Sequence, residues 1–179
     1  MIEEDDLPIA YRAADVHLTA LVIAIALSLL SGCQGQKGPA LSKGSPLPAV
    51  SLPATDGRSL SIPGDIKGKL TVLLFWGQGC SYCRKEMPLI EPLYRKYRDR
   101  GFSFVAILIG PGMEASIDMK AEMGLSFPMA VDESGSLRKL YGIAAVPTMF
   151  VLDEQGNLRE RVLGGLGARD LEKMIQEGL

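Results

Sequence analysis

The chain has 179 residues, 19 of them basic and 21 acidic, with a formal net charge of −2 at neutral pH. That near balance argues against a nucleic-acid binder and against a protein held to membranes by charge alone. Three cysteines and one histidine are a thin supply for a zinc site of about four ligands, and the length suits a leader plus one domain.

In chain order, Leu18 to Leu30, LTALVIAIALSLL, is an uncharged apolar block of 13 residues. It is shorter than the roughly 20 that span a bilayer as a helix and fits the core of a signal peptide. Directly after it, Leu30-Ser31-Gly32-Cys33 resembles the bacterial lipobox, in which the cysteine is lipidated and becomes the first mature residue. The bland alternative for Cys33 is a buried thiol in an apolar helix; the small residues before it and the polar Gly/Pro/Ser stretch after it favour lipidation. One departure stands out: Glu3, Glu4, Asp5, Asp6 and Asp15 precede the block against Arg12 alone, whereas an export signal begins positively charged. A misassigned start codon would account for it.

Residues 1–32 are therefore expected to be a leader, and their removal leaves 18 of the 19 basic and 16 of the 21 acidic residues, a net charge of about +2. Residues 33–48 read as a flexible tether, able to reach roughly 50 Å at about 3.5 Å per residue. Residues 49–179 have the size of one domain.

Within that domain, Ala49 to Ile62 carries two short apolar segments around Asp56-Gly57, a β-hairpin signal. Lys69–Phe75 and Phe102–Ile109 are nearly continuous apolar runs, as expected of central parallel strands covered on both faces. Between them Cys83, Met87, Ile90, Tyr94 and Tyr97 recur at helical spacing, while Arg84, Lys85, Glu91, Arg95, Lys96 and Arg98 take other positions. Pro88 and Pro92 each remove a helical hydrogen bond and are expected to bend that helix. Strand, helix, strand is a right-handed βαβ unit. A second helix is expected over Met113–Met123, an extended segment over Phe127–Val131, a helical turn or two over Ser136–Tyr141, a hairpin of Thr148–Leu152 with Leu158–Leu163, and a closing helix over Ala168–Glu177.

The chemistry sits at Cys80-Ser81-Tyr82-Cys83, between the first central strand and its helix. Cysteines three apart on a helix share a face, with α-carbons within the range of about 4.4–6.8 Å that a disulfide spans. If the helix begins near Cys80, unsatisfied N–H groups and the helix dipole favour its thiolate, which makes Cys80 the nucleophile and Cys83, one turn inside, the resolving thiol. A zinc half-site lacks further ligands, since Cys33 and His17 both lie in the leader. A purely structural bridge across so short a loop would add little chain-entropy stabilisation.

Taken together with Phe75-Trp76 before the pair, Arg84-Lys85-Glu86-Met87-Pro88 after it, Val146-Pro147-Thr148 before a strand and Asp153-Glu154-Gln155-Gly156 at the second hairpin, residues 49–179 resemble the thioredoxin fold. More narrowly they resemble the membrane-anchored TlpA/ResA-like thiol:disulfide oxidoreductases of the redoxin superfamily. The resemblance implies an α/β fold with a central mixed sheet flanked by helices, plus the extra N-terminal hairpin. It implies that Pro147 is the family's cis-proline beside the disulfide, with Val146 ahead of it. It further implies that Glu86 handles the proton of the buried thiol and that Trp76 and Tyr82 wall the site. For each there is a plainer reading: a strand-entry proline, an exposed helical glutamate, a core tryptophan and a solvent-facing tyrosine.

Three departures bear on function. Gly79 stands where many relatives carry a second tryptophan. Leu74 replaces the buried acid of cytosolic thioredoxins, leaving Glu86 as the proton acceptor and favouring the extracytoplasmic branch. Ser81-Tyr82 between the cysteines leaves the direction of electron flow unread.

The resemblance thus implies an exported, lipid-anchored, monomeric reductase of disulfides in partner proteins, apocytochrome c or copper-site proteins among them. A membrane electron-donor protein would recharge it, with no organic cofactor and no resident metal. The alternatives are a copper metallochaperone on the same fold, a disulfide oxidase or isomerase, and a thiol peroxidase, for which Gly77-Gln78-Gly79 lacks the threonine. Gly164-Gly165-Leu166-Gly167 reads as a turn and not a phosphate cradle. Met113, Met119, Met123 and Met129 read as gap-filling core before soft copper ligands.

Overall fold

The computed structural model describes residues 41–179; the apolar block and Cys33 lie outside them. Among the described residues no helix is long and apolar enough to cross a membrane.

The apolar run at 70–76 forms the central strand β3 (Leu70–Trp76), every residue of which is buried. β1 (Val50–Pro53) and β2 (Ser59–Ile62) make the expected hairpin ahead of it, paired antiparallel from Val50–Ile62 to Pro53–Ser59. β3 lies parallel to β4 (Phe102–Ile109), and β4 in turn lies parallel to β5 (Met129–Asp132). The direction then reverses: β6 (Thr148–Asp153) pairs antiparallel with the other side of β3, and β7 (Leu158–Leu163) pairs antiparallel with β6. The sheet order is β5-β4-β3-β6-β7, with the hairpin joined to β5 by a single bridge between Ala54 and Ala130.

Alternation along β3 divides the core between two faces. Leu70, Val72, Leu74 and Trp76 pack with Cys83, Met87, Ile90 and Tyr97 of α1 (Ser81–Tyr97) and with Leu171 and Ile175 of α4 (Gly167–Gly178). Leu73 and Phe75 point the other way, into a cluster with Leu52 and Ile62 of the hairpin, Leu137 of α3 (Leu137–Leu140), Tyr141 and Phe150. Phe75 meets Phe150 and Tyr141 edge-on, with ring centroids 5.0 and 5.9 Å apart, geometry that adds to simple burial. α2 (Met113–Glu122) covers the first face near β5. Met119 and Met129 are buried there, with Met113 and Met123 packed against the same cluster, so the methionines are core.

The ordered chain extends ahead of Ala49, inside the stretch expected to be tether. Gly44 N–H donates to Leu158 O at 2.7 Å, Leu47 N–H to Gly156 O at 3.2 Å, and Pro46 bridges Asn157. Leu47 is 4% exposed. Gly44 to Leu47 are thus fixed by backbone pairing to the β6–β7 turn, a contact that composition does not encode.

Candidate active site

α1 begins where the capping chemistry places it. Cys80 occupies the N-cap in extended conformation, and its Sγ accepts the backbone N–H of Cys83 at 3.1 Å, as an N-cap side chain does for an otherwise unpaired first-turn donor. Cys80 N–H is held in turn by Gly77 O at 3.0 Å. Cys80 and Cys83 are joined as a disulfide with α-carbons 5.3 Å apart. The two sulfurs differ in access: Cys80 is half-buried, whereas Cys83 is fully buried among core side chains.

The floor is Trp76, 1% exposed and in the same cluster as Cys83. It is a core residue beneath the pair, and its Nε1 has no hydrogen-bond partner among the described residues. Tyr82, between the cysteines, is 52% exposed. The Val146–Pro147 bond is cis, and Val146 Cγ2 lies 3.4 Å from where a Cβ on Gly77 would stand. The loop ending in Pro147 thus abuts the turn that holds Cys80.

Glu86 is buried, against the plainer expectation of an exposed helical glutamate. Its Oε1 accepts Gly167 N–H at 3.1 Å, while Oε2 has no partner among the described residues. Cys83 and Glu86 are three apart on α1 and so share a face.

Sequence reasoning missed the role of the glycine run. Gly164-Gly165-Leu166-Gly167 links β7 to α4 and closes the site. Gly164 N–H donates to Pro147 O at 2.9 Å, Gly167 holds Glu86, and a Cβ on Gly165 would collide with the Glu86 carboxylate and the Tyr82 ring. Three glycines in four residues were the available signal. Also missed was Gln78, whose Nε2 donates to Pro111 O at 3.1 Å and ties the turn before Cys80 to the β4–α2 loop.

Behind the site, Glu91 anchors α1 to the segment before β5. Its carboxylate accepts Ser126 N–H at 2.8 Å, Ser126 Oγ–H at 2.6 Å and Arg95 Nε. Burial pushes this carboxyl up, but the bonds from Ser126 and Arg95 outweigh that and hold it below the ordinary glutamate value. A cavity of about 520 Å³ lined by Pro63, Lys67, Lys69 and Gln155 lies at the other end of β3 and takes no part in the site.

A thiol pair with one accessible sulfur at a helix start and one buried sulfur a turn inside, beside a proline loop on this mixed sheet, is the arrangement of the thioredoxin-like proteins. The fold and the pair define the chain as a thiol:disulfide oxidoreductase of that class. It belongs to the Redoxin family, whose model matches residues 42–175, and within it is ResA-like. It is 30% identical over 161 residues to the thiol-disulfide oxidoreductase ResA of Bacillus cereus, a match spanning 86% of this chain and 92% of that protein. Among solved structures it is similar to the thioredoxin domain of a thiol-disulfide oxidoreductase from Bacteroides vulgatus, with a TM-score of 0.67 at 27% identity over 77% of this chain and 98% of that one. StoA from Bacillus subtilis is similar at 28% identity and a TM-score of 0.60, over 71% and 96% of the two chains.

Proposed function

We propose that the protein reduces disulfides in partner proteins outside the cytoplasm, held to the membrane by a lipid on Cys33. Reduced Cys80 attacks one sulfur of the partner's disulfide; that bond breaks, a mixed disulfide forms and one partner thiolate leaves. Cys83 then attacks Cys80 Sγ, the mixed bond breaks, the second partner thiolate departs, and the Cys80–Cys83 disulfide is left. Two electrons pass from the dithiol to the partner. Glu86 receives the proton of the Cys83 thiol on Oε2 as that thiol becomes a nucleophile. A membrane electron-donor protein restores the dithiol, and apocytochrome c or copper-site proteins are the substrates in view.

The observation that supports these roles best is the asymmetry of the pair. Cys80 is accessible, sits at the helix N-cap and accepts an N–H bond, all of which favour its thiolate; Cys83 is enclosed, and Glu86, three residues on along the helix, is buried as well. The reduction potential of the pair, measured by equilibrating residues 41–179 with thiol buffers at pH 7, tests the direction of electron flow. A value near or below about −250 mV is expected of a reductant with a membrane donor, and one near about −120 to −180 mV overturns it in favour of an oxidase or isomerase.

A further inference from the structure

We propose that Arg161 is a positioning residue that sets the loop presenting Val146 and Pro147 to the partner chain. The kinetic part of this inference rests on the proposed function above.

The loop 141–147 runs from the end of α3 to the start of β6 and borders the disulfide, through the approach of Val146 to Gly77. Its ends are pinned: buried Tyr141 donates through Oη to Pro48 O at 2.6 Å, and Thr148 Oγ1 donates to Ala145 O at 2.6 Å. Gly142 adopts a φ of 64°, Ala144 and Ala145 are exposed, and Ile143 is its one buried aliphatic side chain. The hold on its first two carbonyls comes from β7. Arg161 Nη1 donates to Gly142 O at 2.8 Å and Nη2 to Tyr141 O at 2.7 Å.

The guanidinium is itself fixed. Arg161 lies opposite Phe150 in the β6–β7 register, and its Cζ stands 4.7 Å from the Phe150 ring centroid. Phe150 is fully buried, so this face of the fork rests on rigid core. Arg161 takes part in none of the ion pairs among the described residues, and its polar contacts there are the two loop carbonyls.

Gly142 C=O and Ile143 N–H belong to one peptide unit. Its oxygen accepts from Arg161, and its N–H donates to Arg138 O at 2.8 Å. A planar peptide bonded at both ends cannot rotate without losing one of them. The next peptide back is held at Tyr141 O by the other arm of the fork. Two adjacent carbonyls call for two donors in a rigid plane, which arginine supplies and lysine does not.

The test compares Arg161→Lys and Arg161→Ala with the native full-length protein on two oxidants of the reduced pair. Insulin requires a docked chain, whereas hydroxyethyl disulfide needs only access to Cys80. Both variants are expected to lower kcat/KM toward insulin by about tenfold or more, as loss of orientation does, with the rate toward hydroxyethyl disulfide within about twofold of native. Amide hydrogen exchange at Ile143 should quicken by about tenfold in Arg161→Lys, while exchange in β3 stays unchanged. Unchanged exchange at Ile143 overturns the inference by itself. So does an equal loss toward both disulfides, or no loss toward insulin. A native protein inactive on both disulfides would overturn the reductase reading, and Ile143 exchange would still decide whether Arg161 holds the loop.

Discussion

Replacing Glu91 by Gln removes the charge from the residue that ties the disulfide-bearing helix to the strand layer. The carboxylate is 8% exposed and accepts from Ser126 twice and from Arg95 once. Hydrogen bonds to a charged group contribute about 1.5–3 kcal/mol each and are not additive. The amide keeps one acceptor oxygen but turns an NH2 toward a donor, so a net loss of about 2–3 kcal/mol at pH 7 is expected. For a domain of this size that corresponds to a melting temperature lower by about 6–9 °C. The pH dependence is the sharper test. Because the native carboxyl titrates below its ordinary value of 4.5, its stabilisation is fully present above about 4.5 and is lost as the pH falls through the lowered value. The gap between native and Glu91→Gln proteins should be full at pH 7 and close progressively below about pH 4.5. Urea unfolding in steps from pH 7 to pH 3 measures it, and a gap of constant size across that range would refute the reasoning.

Cys83→Ser should accumulate mixed disulfides with partner proteins through Cys80, while Cys80→Ser should accumulate few; equal yields on non-reducing gels would reverse or abolish the assigned roles. Glu86→Gln should slow release of the mixed disulfide by a factor on the order of 10² and leave the first attack by Cys80 little changed, which stopped-flow mixing separates into two phases. Tyr141→Phe removes the 2.6 Å bond from Tyr141 Oη to Pro48 O and should cost about 1 kcal/mol, or about 3 °C in thermal melts. Burial raises the Tyr141 hydroxyl well above its ordinary value, so its advantage should be full below about pH 10 and fall above it, as the unfolded chain ionises first.

Much of this could be read from residue pattern, and the exceptions share a cause. β3 and β4 were legible because strands covered on both faces must be apolar throughout. The start of α1 was legible because an apolar strand running into a cysteine pair leaves few other places for a cap. Trp76 proved to lie inside β3 and to be core. Glu91 stands off the apolar stripe of α1, yet it is buried, and Ser126 brings it a donor pair from 35 residues away. Arg161 reads as an ordinary strand arginine until Phe150 and two carbonyls surround it. For Glu91 and Arg161 the deciding partners are distant in sequence and include backbone groups, which every residue carries alike and no pattern of side chains announces.

The pairing of Gly44 to Leu47 with the β6–β7 turn has a consequence for reach. That turn follows Asp153, which sits opposite Leu70 at the start of β3, whereas Cys80 follows Trp76 at the other end, six residues and about 20 Å along the strand. The incoming chain is therefore moored at the pole away from the reactive sulfur. With the lipid proposed on Cys33, changing the number of residues between it and Leu41 would alter the distance to a client without altering the surface offered to it, so reach and recognition could be tuned separately.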